Sequence, residues 1–363
     1  MNTQAPLPGI SPAHAGRTMP TLTQWLAAQA PDLAPIIEAV ARACVRIGDA
    51  AALGVLADVH GATEVVNCQG EEQKKLDVFA DEALHQELAG CRMVAGWASE
   101  EHEQPHVSPE HGSTGRYLLV FDPLDGSSNI EANISVGTIF SILPHIFHGT
   151  PPGEAGFMQP GSQQLAAGYV LYGPATVMVL TCRNGVHVFT LERPSGQWWL
   201  TRSKVEIPDA TREFAINTSN QRFWEKPVQR YVAECVAGDE GPRGKNFNMR
   251  WVASMVAEVH RILTRGGVFL YPRDNKEPRK PGRLRLMYEA APMALIVEQA
   301  GGRAVTGTME LLHIVPDTLH QRVPVILGSA EEVERIVAYH EDPHENVSLQ
   351  LFKTRSLFIQ PQA

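Results

Sequence analysis

A succession of strand-like segments in the first half of the chain constrains the fold more than any other feature of the sequence. Segments rich in β-branched and aromatic residues occupy positions 117–121, 135–143, 166–172 and 176–182. The longest break between them, residues 149–164, is rich in Pro and Gly and is predicted to be a loop. Two further segments, residues 185–190 and 198–202, flank a Pro-Ser-Gly turn and predict a hairpin. The pattern predicts a sheet as the centre of an N-terminal domain.

Helical periodicity precedes and follows these strands. Apolar residues between positions 22 and 44 predict two helices with a break near Pro31, and residues 73–88 predict a third that ends at Gly90. Beyond position 205, strands are predicted at residues 213–216 and 268–271, and helices at residues 225–237, 252–264 and 287–300. We therefore predict an α/β (α+β) layered fold.

The length of 363 residues favours two domains that share an active-site cleft. We predict a mobile arm at residues 1–20, an N-terminal domain at residues 21–204, a C-terminal domain at residues 205–345 and a tail at residues 346–363.

The composition argues against several classes of partner. The formal net charge of −9 argues against nucleic-acid binding, because phosphate backbones are bound by clustered basic surfaces. The five cysteines are scattered, form no CxxC pair and are predicted to be reduced thiols. The N-terminus lacks a secretion signal, and no stretch of about 18 apolar residues occurs, so we expect a cytoplasmic protein without a membrane partner.

The segment FDPLDGSSN, from Phe121 to Asn129, contains potential metal ligands. Asp122 and Asp125 directly follow an apolar strand, and two carboxylates at this spacing on a turn can share hard cations such as Mg²⁺. The carbonyl oxygen of Leu124 can serve as a backbone ligand beside them.

The second half of the same segment is typical of a phosphate-binding turn. Gly126, Ser127 and Ser128 offer consecutive N–H groups and hydroxyls, the composition of an anion nest or a helix N-terminus. A simple capping turn is the alternative, but it explains one aspartate and leaves the second aspartate and the serine pair unexplained.

Further carboxylates can complete a metal-dependent site. Glu100 and Glu101 follow the apolar residues 93–97, and Glu71 and Asp77 lie close together in the sequence. Adjacent acidic residues most often form a solvated surface. Beside metal ions, however, some carboxylates bind the ions while others orient and deprotonate water. Glu289, on the helix after a basic loop, can close such a cluster.

Positive charge is concentrated in the basic loop, residues 276–285, which contains five Lys or Arg residues. Arg283 and Arg285 in this loop, together with Arg250, are candidate anion ligands, and Asn217 and Tyr271 are candidate hydrogen-bonding partners. For any single arginine, a surface charge remains the alternative.

Taken together, these residues resemble class I fructose-1,6-bisphosphatase, over nearly the whole chain from about residue 21 to about residue 340. Blocks in the same order carry the resemblance: residues 67–77, 99–101, 121–130, 159–161 with 166–169, 254–261 and 284–289. Inositol monophosphatases share the Asp-Pro-Leu-Asp-Gly turn, but the block that ends in Tyr288 and Glu289 separates the two groups.

The resemblance implies a layered αβαβα sugar-phosphatase fold, a homotetramer, and hydrolysis of the 1-phosphate of fructose 1,6-bisphosphate in gluconeogenesis or the Calvin cycle. It implies an N-terminal metal and phosphate domain and a C-terminal sugar-binding domain.

It also implies about two or more Mg²⁺ ions per subunit, which Mn²⁺ can replace. The implied metal ligands are Glu100, Asp122, the Leu124 carbonyl, Asp125 and Glu289. The implied catalytic residues are Asp77 and Glu101, with Glu71 as a further participant. The implied substrate ligands are Asp125, Gly126, Ser127 and Ser128 for the 1-phosphate, and Asn217, Tyr271, Arg283 and a neighbouring subunit's Arg250 for the sugar and the 6-phosphate.

The chain departs from the family pattern around the implied 6-phosphate pocket. Arg283 stands where many relatives carry Lys, Asn220 ends a segment that in many relatives ends in Tyr, and Trp251 replaces another Tyr. This pattern is similar to bacterial Calvin-cycle enzymes, some of which also hydrolyse sedoheptulose 1,7-bisphosphate. That activity, alone or in addition, is the first alternative. An inositol-type monophosphatase and a catalytically silent sugar-phosphate sensor are the others.

Overall fold

The structure is a computed structural model that describes residues 19–59, 61–66, 72–276 and 282–342. Its helices are α1 (Leu22–Gln29), α2 (Ala34–Leu53), α3 (Lys75–Ala89), α4 (Glu154–Phe157), α5 (Lys226–Val236), α6 (Met255–Arg265), α7 (Ala291–Gln299) and α8 (Ala330–Glu341). Its strands are β1 (Ala62–Val66), β2 (Glu72–Lys74), β3 (Val94–Ser99), β4 (His106–Val107), β5 (Tyr117–Asp125), β6 (Val136–Pro144), β7 (Ala166–Tyr172), β8 (Thr176–Thr181), β9 (Val186–Glu192), β10 (Gln197–Arg202), β11 (Glu213–Ala215), β12 (Asn248–Met249), β13 (Val268–Tyr271), β14 (Leu284–Arg285), β15 (Arg303–Val305), β16 (Arg322–Val323) and β17 (Val325–Gly328).

An eight-stranded sheet organises the first half of the chain, with strand order β10-β9-β8-β7-β6-β5-β3-β4. All its neighbouring strands are antiparallel except β3 and β5, which are parallel, with Ser99 opposite Phe121. Parallel strands end at the same edge of a sheet, so the residues that follow Ser99 and Phe121 meet there. The predicted strands correspond to β5 through β8, and the predicted hairpin is β9–β10.

Three helical layers enclose two sheets. Helices α1, α2 and α3 cover one face of the first sheet through residues such as Phe121 and Phe140. Helices α6 and α7 lie against its opposite face and also against the second sheet, whose order is β12-β11-β13-β17-β15. Helices α5 and α8 cover the outer face of that second sheet through Phe214 and Leu270. The expected αβαβα layering is therefore confirmed.

Several boundaries differ from the sequence prediction for local reasons. Helix α6 begins at Met255 because Ala253 has a left-handed φ of 60° and Ser254 is extended. The helix predicted from residue 287 begins as a wider π-helical turn, Leu286–Ala290, which leads into α7. The predicted loop at residues 149–164 contains α4, which buries Phe157 completely. The predicted tail lies outside the described residues, as does all but the end of the predicted arm.

The described cysteines, Cys44, Cys91, Cys182 and Cys235, are free thiols. Cys68 lies outside the described residues. Among the helices that the structure describes, none has the length and apolar character needed to cross a bilayer.

A buried ion-pair network fixes α8 to the C-terminal layer. Glu332 is 1% exposed and accepts hydrogen bonds from Arg243 Nη2 at 2.6 and 2.8 Å and from Lys245 Nζ at 3.3 Å. The hydroxyl of Tyr231 donates to it at 2.9 Å. These donors offset the cost of removing the carboxylate from water. Without Glu332, the buried guanidinium of Arg243 has no opposite charge beside it.

We expect Glu332→Ala to lower the free energy of unfolding by about 3–5 kcal/mol, as for other buried ion pairs from which one partner is removed. Glu334→Ala on the same helix is the control, because Glu334 is 56% exposed and lies 3.7 Å from Arg303. Its loss should be about 0–1 kcal/mol. Urea denaturation followed by circular dichroism measures both, and equal losses would show that the buried network does not stabilise α8.

Candidate active site

Three buried carboxylates, those of Glu100, Asp122 and Glu289, place ligand oxygens within 4.8 Å of one another. Glu100 directly follows β3, and its N–H donates to the carbonyl oxygen of Phe121 at 3.1 Å. Parallel pairing therefore brings Glu100 beside Asp122 on β5. Glu289 lies in the π-helical turn, and its Oε2 accepts a hydrogen bond from the Arg285 N–H at 2.6 Å. The structure thus brings together three side chains that the sequence predicts as metal ligands.

The electrostatics of this carboxylate cluster favour a bound cation. Burial, followed by the charges of Glu100, Glu289 and Asp125, raises the pKa of Asp122 well above its usual range. Burial and the charge of Glu100 likewise raise the pKa of Glu289. Clustered oxygen donors with unfavourable negative charge fit a hard divalent cation such as Mg²⁺.

Arg285, a candidate anion ligand from the sequence, is instead buried against the cluster. Its side chain is 4% exposed, and Nη1 contacts Oε1 of Glu100. The guanidinium supplies the positive charge that offsets part of the cluster's repulsion. Arg285 also orients Glu289 through its N–H. Its contact with Glu100 links the C-terminal half of the chain to the end of β3.

Asp125 joins the end of β5 to the N-terminus of α6. Its Oδ2 accepts hydrogen bonds from Ser254 Oγ at 3.1 Å and from the Val256 N–H at 2.9 Å. Burial raises the pKa of Asp125 to about 6, although these hydrogen bonds oppose the shift. Ser254 is a site residue whose role the sequence analysis missed, because the predicted helix began at residue 252 and so included Ser254 in its first turn.

The predicted phosphate-binding turn follows at the amino end of α6, where partial positive charge accumulates. Gly126 has φ 78°, and Ser127–Asn129 form a single 3₁₀ turn. Asn129 Nδ2 donates to the carbonyl oxygens of Val252 and Ala253 at 3.1 and 3.2 Å. These bonds fix the turn against the segment that leads into α6.

Asp77 connects the carboxylate cluster to this turn. It is 4% exposed, and its Oδ2 accepts a hydrogen bond from the Lys74 N–H at 2.7 Å. Burial raises its pKa to about 7 against this bond, and the charges of Glu101 and Glu100 add to the rise. The Ser127 side chain opposes this rise, which places it close to the Asp77 carboxylate. A carboxyl group in this setting can accept a proton near neutral pH.

Glu101 and Glu71 are the other two predicted catalytic residues. Glu101 is partly exposed, and its N–H donates to Ser99 Oγ at 3.3 Å. Its charge acts on Asp77, which places the two predicted catalytic acids near each other. Glu71 lies outside the described residues.

Two of the predicted sugar ligands line a separate pocket in the C-terminal half. Asn217, Asn220, Trp251 and Tyr271 all line it. The Trp251 ring lies 5.9 Å from that of Tyr271 and stacks on Phe269 at 6.0 Å. Asn220 and Trp251, two of the residues at which the chain departs from the pattern that it resembles, therefore adjoin the predicted sugar ligands.

Tyr271 lies between basic residues and the carboxylate cluster. Burial raises its pKa, the charges of Arg283 and Arg322 lower it, and that of Glu289 raises it. Arg322 Nη1 donates to the Arg283 carbonyl oxygen at 2.7 Å, which brings a second guanidinium to this region. The sequence analysis missed Arg322, because only the pairing of β14 with β16 brings it here.

Arg250 is not drawn into the pocket of its own chain. Its side chain is 48% exposed, and Nε lies 3.7 Å from Glu213 Oε1. Its predicted contact with a neighbouring subunit's substrate stays a prediction. Residues 277–281 of the basic loop lie outside the described residues.

Two family models match the chain in sequence. The fructose-1,6-bisphosphatase N-terminal domain matches residues 22–203, and the fructose-1,6-bisphosphatase C-terminal domain matches residues 207–341. A class 1 fructose-1,6-bisphosphatase from Methylibium petroleiphilum is 66% identical over 94% of this chain and 99% of that protein. Another, from Hydrogenophilus thermoluteolus, is 55% identical over 93% and 97%.

Solved structures give the same result. The crystal structure of Leishmania major fructose-1,6-bisphosphatase in holo form superposes with a TM-score of 0.84 at 36% identity, over 90% of this chain and all of that one. The apo form of the same enzyme superposes with a TM-score of 0.79 at 34% identity, over 89% of this chain.

We expect Gly126→Ala to destabilise the protein more than a matched glycine substitution. A Cβ at Gly126 would lie 2.8 Å from Ser254 Cβ, whereas one at Gly196, with a similar φ of 69°, meets nothing within 4 Å. Both variants lose about 1 kcal/mol to the left-handed backbone. Gly126→Ala should lose roughly 1–3 kcal/mol more through overpacking. Urea denaturation compares them, and equal losses would contradict the close approach of Gly126 to Ser254.

Proposed function

This chain belongs to the fructose-1,6-bisphosphatase family of phosphatase hydrolases, and from that premise we propose that it hydrolyses the 1-phosphate of fructose 1,6-bisphosphate. The products are fructose 6-phosphate and inorganic phosphate. The observation that carries the proposal is the buried cluster of Glu100, Asp122 and Glu289 beside the turn that begins at Gly126. Metal ligands and a phosphate-binding turn are the two parts that metal-assisted phosphate ester hydrolysis requires.

The family is metal-dependent, and the oxygen-rich cluster favours Mg²⁺ over softer ions. We propose that about two or more Mg²⁺ ions bind to Glu100, Asp122, the Leu124 carbonyl, Asp125 and Glu289. When bound, divalent cations polarise the phosphoryl group and lower the pKa of water.

The chain's own residues position the reacting groups. N–H groups of the turn from Gly126 to Ser128, at the amino end of α6, bind the oxygens of the 1-phosphate. Asp77 and Glu101 orient the attacking water and accept its proton. The closeness of Ser127 to Asp77 supports this role, because it brings the proton acceptor next to the phosphate-binding turn.

The second phosphate and the sugar bind in the C-terminal pocket. Asn217 and Tyr271 hydrogen-bond to the sugar phosphate, and Arg283 supplies a planar guanidinium for the 6-phosphate. Arg322, which lies against Arg283, adds positive charge there. We further propose a homotetramer in which the exposed Arg250 of one subunit reaches the 6-phosphate bound by its neighbour.

The alternative activities are not favoured. The relatives named above are fructose-1,6-bisphosphatases at 66% and 55% identity.

A cytoplasmic location is proposed because the described cysteines are unpaired, as is typical of a reducing compartment.

Phosphate release from fructose 1,6-bisphosphate in Mg²⁺ tests the proposal, with sedoheptulose 1,7-bisphosphate and inositol monophosphate as competing substrates. The expected result is turnover of fructose 1,6-bisphosphate with the highest kcat/KM. Faster turnover of inositol monophosphate, or binding without turnover, would overturn it.

Asp77→Asn should lower kcat by about 10²- to 10⁴-fold, because the amide cannot accept the proton of the attacking water. Mg²⁺ binding, measured by calorimetry, should change little, since Asp77 is not a proposed metal ligand. Asp209→Asn, an exposed aspartate, is the matched control and should retain wild-type kcat. A near-normal kcat in Asp77→Asn would remove Asp77 from the mechanism.

Arg283→Gln should raise KM for fructose 1,6-bisphosphate roughly tenfold or more, the loss expected for one charge-assisted phosphate contact. The value of kcat should change far less, because this contact is remote from the reacting bond. Arg212→Gln, at an exposed site, is the control. Steady-state kinetics distinguish this result from a fall in kcat at constant KM, which would assign Arg283 to the reacting phosphate instead.

A further inference from the structure

A second group of metal-binding side chains lies beside the active site and contains no member of the carboxylate cluster. His85 on α3, His102 after β3 and His106 on β4 each offer a ligand nitrogen, and these atoms lie within 4.8 Å of one another. The His85 ring centroid lies 5.1 Å from that of His102 and 4.3 Å from that of His106. Three separate elements therefore converge on one histidine cluster.

A buried carboxylate adjoins the three imidazoles. Asp81, one turn before His85 on α3, is 6% exposed. Its Oδ2 lies 2.7 Å from His102 Nε2 and 3.4 Å from His85 Nε2. Its Oδ1 accepts a hydrogen bond from Ser99 Oγ at 2.5 Å, which fixes the orientation of the carboxylate. A carboxylate held in this way orients its neighbouring histidines.

His106 carries an unused ligand atom. Its Nε2 is buried and has no hydrogen-bond partner among the described residues. Buried polar atoms are nearly always paired, so an unpaired nitrogen on a ring that lies beside two other imidazoles calls for an explanation. Burial, with the neighbouring His85 and His102, lowers the pKa of His106 to about 4, so its ring is neutral at physiological pH.

We propose that His85, His102 and His106, oriented by Asp81, form a binding site for a divalent cation of the zinc type. Three imidazoles match the sites in which three histidines and a water molecule bind Zn²⁺ tetrahedrally. Imidazole suits Zn²⁺, whereas Mg²⁺ prefers oxygen ligands, so the two neighbouring sites differ in selectivity.

An ion in this site would hold two elements of the active site together. His102 directly follows Glu101, and Asp81 lies one helical turn after Asp77. An ion held by both elements fixes the segment that carries Glu101 to the helix that carries Asp77. The side chain of His102 is 42% exposed, which gives the ion a path from solvent.

The test uses the full-length protein, freed of metal by chelation and held in excess Mg²⁺ to occupy the carboxylate cluster. Co²⁺ is the spectroscopic probe, since tetrahedral Co²⁺ absorbs strongly in the visible range, and Zn²⁺ should displace it. We expect one tightly bound Co²⁺ per chain and a rise in melting temperature on addition of Zn²⁺. His106→Gln and His85→Gln should each weaken Co²⁺ binding roughly tenfold or more. Loss of a residue that only orients a metal ligand already weakens binding by about that factor.

Two further variants separate this site from the carboxylate cluster. Asp122→Asn should keep the Co²⁺ band and the Zn²⁺-dependent melting shift. His313→Gln, at an exposed histidine, is the matched control and should keep both as well. Absence of the band in the wild-type protein, or its loss in Asp122→Asn with retention in both cluster variants, would overturn the proposal. The two cluster variants provide independent tests if one of them fails to fold, which circular dichroism detects.

Discussion

Buried negative charge at the ends of two parallel strands is the constraint on which the rest of the structure depends. Three of these carboxylates are held by donors that other elements provide: Arg285 for Glu100, the N–H of the same residue for Glu289, and the N-terminus of α6 for Asp125. Asp122 accepts a hydrogen bond from the Leu124 N–H of its own strand. These donors hold the carboxylates in place but do not cancel the repulsion among their negative charges, which a bound cation relieves. The arrangement sacrifices stability in the metal-free chain, as is common where function requires like charges close together.

Helix α3 and strand β3 serve two neighbouring sites at once. Asp77 on the first turn of α3 is directed to the phosphate-binding turn, and Asp81 on the next turn meets the histidine cluster. Ser99 at the end of β3 donates to Asp81 and accepts from the Glu101 N–H. A few hydrogen bonds therefore connect the two sites directly.

The sequence predicts those parts of the molecule whose determinants are contiguous. Strand β7 matches its predicted bounds because its residues are buried on both faces, and the segment from Asp122 to Ser128 predicts metal ligands because it contains both carboxylates and the turn. Periodicity cannot predict the burial of Arg285, the approach of Arg322 or the π-helical turn at Glu289, since each depends on pairing between distant segments. His106 was missed for a similar reason, because β4 is only two residues long and has no pattern of its own.

The contact between Arg285 and Glu100 also has a consequence for biosynthesis. The eight-stranded sheet ends at Arg202, so a ribosome can release all of it before residue 285 has been synthesised. Domains generally begin to fold from the N-terminus during translation. Until the later segment docks, Glu100 lacks its guanidinium and the cluster lacks Glu289. A nascent or truncated chain that ends before residue 285 therefore cannot complete the carboxylate cluster, so enzymatic turnover reports synthesis of the later segment as well as of the first sheet.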